Sequence, residues 1–235
     1  MAAIFAALAR AIPLLFTPRI VGLAFLPLVV AAIVWTGIAV AAWHPLTAWL
    51  VSIFGASPDS LWYGIAANVV AAIAFAVLAV ATAFTAIAIL AMPVIVRTVA
   101  TRDFPTLAAR RGGTVTGSVG NAIAALAIFV PLWVASLVLL FVPPVYAVAS
   151  LLLNAWLTQR MFRYDALAEH AERGEIRVLL ARNRWRLLGL GLVLAPLSFV
   201  PIVNVLVLPL FAGIAFTELC LAELAALRSA PVGAP

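Results

Sequence analysis

The chain has no lysine, a single cysteine, two histidines and few charges of either sign. Asp, Glu, Lys and Arg together make up 9% of its 235 residues, against about 25% in soluble globular domains. That shortage excludes a water-soluble globular fold. The lone Cys220 excludes a disulfide framework and a cysteine-based metal cluster. In its apolar surroundings it reads as a packed thiol. His44 and His170 are distant in sequence, and no Ser-His-Asp set, P-loop, GxGxxG or metal-ligand spacing accompanies them. Neither an enzyme nor a metal- or cofactor-dependent protein is expected. Met1–Leu8 has no basic residue ahead of an apolar run, and Arg10 interrupts before one forms, so a signal peptide is not expected either.

What is present is apolar. Hydrophobic residues make up 67% of the chain, and the 14 basic residues, all arginine, outnumber the 8 acidic ones to give a net charge of +6. A basic excess often marks nucleic-acid binding. Here the arginines flank apolar runs, so membrane orientation accounts for them and no nucleic acid partner is expected. The composition points to one compact membrane domain over residues 1–228, contacting lipid.

Ile4, Phe5, Leu8, Ile12 and Leu15 fall at helical spacing. They predict an amphipathic helix lying in the interface within residues 1–18, ending at Pro13 or Pro18. Ile20–Trp43 predicts the first transmembrane helix: roughly 24 uncharged residues, about 36 Å as helix. His44-Pro45, Ser57-Pro58-Asp59 and Tyr63-Gly64 are turn signals. Between them Leu46, Trp49, Leu50 and Ile53 suit a short interfacial helix, and Ser57-Pro58 reads as a helix start. Residues 65–97 predict a second, long transmembrane helix, rich in alanines that permit close helix approach. Residues 97–116 form an arginine-bearing connector, with Ser118 as a candidate cap for the next helix.

Two apolar stretches turn at proline. Val119–Val142 and Val145–Gln159 form a hairpin about Pro143-Pro144, spanning 119–159. Residues 187–227 form a second hairpin, with Leu187–Phe199 leading out to Pro201 and Ile202–Leu219 leading back. Proline breaks the i to i−4 ladder and drives the preceding residue out of helical geometry. The second arm of the first hairpin and the first arm of the second have ~15 and ~13 residues, short of the ~20 that cross a bilayer. The hairpins are therefore re-entrant or short. Between them lies a polar segment, 160–186, in which Arg163, Leu167 and Ala171 suggest a solvated helix that Gly174 ends or turns. Residues 229–235 read as a frayed tail. The fold expected is an all-α integral membrane protein: two long transmembrane helices, two proline-turned helical hairpins and an amphipathic N-terminal helix. Arg10 and Arg19 precede the first span and every other arginine follows the second. Arginine-rich segments stay inside, which puts both termini in the cytoplasm and the chain, multi-pass, in the cytoplasmic (inner) membrane.

A helix that begins inside a membrane presents free N–H groups and a positive dipole end, a natural anion site. Ile202–Asn204 and Pro144–Tyr146 begin such helices. Asn204 suits either an oxyanion donor or the cap of its own helix. Arg19 suits either a bidentate anion contact or an interfacial anchor. Arg182, Arg184 and Arg186 suit an anion-gathering vestibule or lipid headgroups. Glu218 and Glu223 lie at the edge of the last apolar run, where an acid suits either a functional role or, as the plainer expectation, a pair with one of those three arginines. The anion-site residues put forward are Arg19, Asn204, Arg184 and Arg186.

Phe199-Val-Pro-Ile-Val-Asn204-Val-Leu-Val-Leu-Pro209-Leu-Phe-Ala-Gly213 resembles the "IP-x-x-N-x-x-x-x-P-x-x-x-G-A" hairpin of the CysZ sulfate permease family, which includes the etoposide-induced protein 2.4 branch. Tyr164-Asp165-Ala-Leu-Ala-Glu169-His170 and Leu180-Ala-Arg182-Asn-Arg184-Trp185-Arg186 are similar to the segment ahead of that hairpin. Pro18 and Pro27 match the spacing of two family prolines around the first span. The arginine between them does not match: Arg19 follows Pro18 directly, and Val21 stands at the family's arginine position. The resemblance implies a permease for sulfate or a related inorganic anion, without nucleotide hydrolysis, working as a homo-oligomer. It allows one alternative, a non-transporting membrane scaffold or interaction protein of the same family.

Overall fold

The computed structural model describes residues 1–53, 61–110, 112–200 and 203–229. The Ser57-Pro58 start, Asp59, Arg111, the Pro201-Ile202 turn and the tail beyond Ser229 lie outside the described residues. The protein is all-helical, with no strand among the described residues. Its helices are α1 (Ala2–Leu15), α2 (Pro18–Ile53), α3 (Leu61–Asp103), α4 (Val115–Ser136), α5 (Pro143–Ala168), α6 (Arg173–Arg182), α7 (Arg184–Leu194) and α8 (Leu208–Ser229). Short 3-10 turns end α4 (Leu137–Phe141) and α7 (Ala195–Phe199), and a π-turn (Val203–Val207) leads into α8. Four helical segments among the described residues are long and apolar enough to cross a membrane: Pro18–Ile53, Leu61–Ala83, Thr116–Phe141 and Leu208–Ser229.

The chain divides into two compact units, Val21–Leu90 and a larger one of Met1–Ile20 with Ala91–Pro235. In the smaller unit α2 and α3 run antiparallel. Trp35 Nε1 donates to Thr82 Oγ1 (3.1 Å) and Trp43 Nε1 to Asn68 Oδ1 (2.8 Å). Phe75 lies against both indoles. Each polar group thereby gains a partner inside an otherwise apolar pair, as lipid surroundings demand. The helix does not stop at Trp43: α2 runs through His44-Pro45 and absorbs the expected interfacial helix. Pro45 removes one ladder bond. The Trp43–Asn68 bond and the rings at Phe75 hold the helix to its neighbour at the same place, and tertiary packing overrides the local turn signal.

In the larger unit α8 is the core. Ala212, Ile214, Ala215, Phe216, Leu221 and Leu224 are fully buried. A helix apolar all round must be covered on every side, and α8 is covered by α1, α5, α6 and α7. Phe216 stacks on Phe162 of α5 (6.1 Å between centroids). Helix α1 packs on α8 through Ile4, Ala7, Ala11 and Leu14. Of the stripe expected from spacing, only Ile4 is buried; Phe5, Ile12 and the nearby Phe16 point outward. The helix is apolar on two faces, and the face carrying Ala7 and Ala11, where alanine allows close approach, takes the protein side.

The proline hairpin 119–159 is observed as α4, its 3-10 turn, Val142 and α5, with Pro143 at the first helical position. Its second arm does not end at Gln159. Helix α5 continues unbroken to Ala168, with Leu167 and then Ala171 buried rather than solvated. Gly174 does not close a helix; it sits inside α6, which Glu172 and Glu175 start with a reciprocal capping box. Thr114, not Ser118, caps α4: it is extended (φ −131°, ψ 155°) and its hydroxyl accepts from Gly117 N (3.0 Å). Helix α7 crosses α5 where Gly191 meets Ala155, and a Cβ on Gly191 would lie 2.5 Å from the Ala155 carbonyl oxygen.

Two predictions follow from this packing. Gly191→Ala forces α5 and α7 apart and lowers the thermal midpoint by the equivalent of about 1–3 kcal/mol. Gly120→Ala, with open space around it, holds or raises the midpoint, since alanine is the better helix former. Differential scanning fluorimetry of the two variants checks both. The apolar reach from Leu187 to Phe199 is about 22 Å, against ~30 Å of hydrocarbon. A cysteine at Val200, in a background where Cys220 is buried, is therefore expected to resist membrane-impermeant maleimide from both sides of sealed vesicles.

Candidate functional site

The charged residues of the larger unit gather where the connector after α3 meets the α5–α6 turn and the end of α8. Gly112 N donates to Ala171 O (2.9 Å) and Gly113 N to Ala168 O (3.0 Å), pinning the connector to the turn. Arg228 closes the junction. Its Nε and one terminal nitrogen both reach the Glu175 carboxylate at 2.9 Å, and it also donates to Ala108 O (2.9 Å) and His170 O (2.7 Å). Arg110 pairs with Glu172 (2.9 Å) and lies 3.9 Å from Glu175. A bidentate arginine fork satisfying two carbonyls as well fixes geometry strongly. These groups are saturated by one another and act as a clasp.

The titration directions follow. The Arg228 fork, helped by the Glu172 amide and Arg110, holds the Glu175 carboxyl down at about 2. Burial pushes Asp165 up against a hydrogen bond from Ser118 that pulls it down. Burial, opposed by Glu169 and aided by Arg228, pushes His170 down.

The remaining acids pair along the bundle. Glu169 lies 3.6 Å from Arg97. Glu223 pairs with Arg186. Glu218 does not pair with Arg182, Arg184 or Arg186 as expected. Its side chain is fully buried, with Arg10 of α1 at 3.7 Å, and neither carboxylate oxygen has a hydrogen bond among the described residues. The reason is that α1 docks along α8, which places Arg10, at the edge of the Ala7–Ala11–Leu14 stripe, beside Glu218. Helical spacing of Arg10 with that stripe was the available signal.

The four proposed anion residues are not joined by any hydrogen bond or ion pair among the described residues. Arg19 is exposed at the second position of α2 and has no partner there. Arg184 is exposed at the start of α7, its guanidinium 5.1 Å from the Trp185 ring centre. Arg186 is committed to Glu223. Asn204 sits in the π-turn with its side chain exposed and its own N–H donating to Val200 O (2.8 Å). Its side chain caps nothing among the described residues.

The first hairpin does not offer the free amides expected at Pro144–Tyr146. Pro143 and Pro144 have no N–H, and Val145 N and Tyr146 N both donate to Val142 O (2.9 and 3.1 Å). The two prolines that make the turn also delete the donors an anion would use. In the smaller unit, a hollow is lined by His44, Thr47 and Asn68; Thr47 donates to Trp43 O, and Asn68 bonds both Trp43 and Gly64 O.

Over residues 7–209 the sequence matches the family described as sulfate transporter CysZ/etoposide-induced protein 2.4. The chain belongs to that family. The match runs from within α1 through the first hairpin and the outgoing arm of the second to the start of α8. No individual curated protein matches the chain. The family is of transporter type, and with several apolar helices the chain is a multi-pass membrane protein.

The Glu175–Arg228 clasp gives a pH test. A carboxyl lowered from 4.5 to about 2 contributes stability that is fully present above pH 4.5 and lost as pH falls toward about 2. Glu175→Gln is expected to lower the thermal midpoint at pH 7 and to flatten the decline between those two values. Melting curves across that range check it.

Proposed function

We propose that the protein is a permease moving sulfate or a related inorganic anion across the cytoplasmic membrane, without nucleotide hydrolysis. The observation that carries this reading is the family match over residues 7–209, which takes in the first hairpin and the outgoing arm and turn of the second. The surplus of arginine over acid at the ends of the apolar helices supports an anion as cargo. Arg19 and Arg184, exposed and without acidic partners among the described residues, are the anion contacts favoured from the sequence-derived set, with Asn204 next. Arg186 serves only when Glu223 releases it. With one apolar arm of each hairpin short of the ~20 residues that cross a bilayer, a single copy does not enclose a pore, so the working form is a homo-oligomer with both termini in the cytoplasm. A second reading, a non-transporting scaffold or interaction protein, is favoured by Val21 at the position where the family carries arginine.

Proteoliposomes decide between them. Uptake of labelled sulfate above that of protein-free vesicles, reduced several-fold by Arg19→Ala, is the expected result. Uptake at the protein-free level with folded, correctly oriented protein leaves the scaffold reading.

A further inference from the structure

The charge inventory leaves two arginines unexplained. Every described acidic side chain is engaged elsewhere, Asp165 with Ser118 and the others in ion pairs with other arginines. Arg19, Arg173, Arg177, Arg182 and Arg184 lack an acidic partner among the described residues, and all five are exposed, where water solvates the charge. Arg160 and Arg163 also lack one among the described residues, and they are not exposed. They stand one turn apart on α5, just past its apolar arm.

Their surroundings do not compensate them. Arg160 Nε is buried with no hydrogen-bond partner among the described residues. Among the described residues its guanidinium has only the face of Trp156, 5.9 Å from the ring centre. Burial, and then the charge of Arg160, push the Arg163 pKa down, the response of a cation short of counter-charge. Gln159, on the same face one turn before Arg163, is 6% exposed, and its Oε1 is also unpartnered. Turned over, that amide presents its NH2 instead. Two adjacent, partly desolvated like charges destabilise a helix unless an anion sits with them.

We propose that Arg160 and Arg163, with the Gln159 amide beside them, form a binding site for a tetrahedral oxyanion, either free sulfate or the phosphate of a lipid headgroup. Two guanidinium forks match the paired oxygens of such a group. For free sulfate the site deepens the permease reading and rests on it. For a lipid it stands alone.

The test uses full-length protein, purified in detergent and stripped of lipid, with tryptophan-fluorescence melting as readout. Sodium sulfate and sodium chloride are compared at equal ionic strength. A parallel titration compares phosphatidylglycerol with a phosphate-free galactolipid. A specific rise with sulfate assigns the free anion, and a rise with phosphatidylglycerol alone assigns the headgroup. Arg160→Gln and Arg163→Gln each weaken the midpoint concentration of that response roughly tenfold, while exposed Arg177→Gln leaves it unchanged. In chloride alone Arg163→Gln melts no lower than the parent, because it relieves a like-charge pair; an arginine with a purely structural role gives a lower melt. If a glutamine variant does not fold, Arg163→Lys, which keeps the charge and loses the fork, supplies the same comparison. No response to either oxyanion source, or a response unchanged in Arg160→Gln and Arg163→Gln, overturns the proposal. Sulfate uptake by the parent with a response indifferent to both arginines sinks this site and leaves the permease. A response that depends on them without uptake does the reverse.

Discussion

A helix buried on every side exists only if something surrounds it, and α8 sets that requirement for the larger unit. Its flanks are filled by α1, by the crossing pair α5 and α7, and by α6. The fit depends on small residues where backbones approach: Gly191 against Ala155, and Gly213 against Ile95 and Met92. In lipid there is little hydrophobic drive between helices, so close packing and internal hydrogen bonds have to supply the cohesion. The clasp through Arg228 adds to this by tying the end of α8 to the connector and to the α5–α6 turn.

The two units satisfy one rule by different means. The smaller places two tryptophan N–H groups on a threonine and an asparagine across an antiparallel pair. The larger places carboxylates and arginines near its helix ends, and one carboxylate, Glu218, fully inside. The proline-turned hairpin of α4 and α5 shows the limit of a simple argument. Proline at a helix start is geometrically favourable, yet a pair of prolines removes the amides that would make that start an anion site.

Helix type, the long spans and the first hairpin were legible because apolar run length and proline placement are strong signals in lipid. Boundaries were less so. His44-Pro45 reads as a turn, but the Trp43–Asn68 bond carries the helix through it. Gly174 reads as a stop, but the glutamate capping box starts α6 just ahead of it. The site was the least legible part. Sequence separates arginine from apolar residues, but it does not say which arginines meet an acid. That depends on helix docking: α1 brought Arg10 to Glu218, and α7 brought Arg186 to Glu223, leaving Arg160 and Arg163 over.

The docking of α1 on α8 has a consequence for how the molecule is made. The two helices are separated by roughly 200 residues, a contact of very high sequence separation. While the ribosome is still producing the hairpins, Ile4, Ala7, Ala11 and Leu14 have no protein surface to cover them. Being apolar on both faces, α1 is suited to wait on the bilayer and then trade lipid for α8 when that helix arrives. Its assembly into the unit is therefore a late step, timed by translation rather than by the order of the chain.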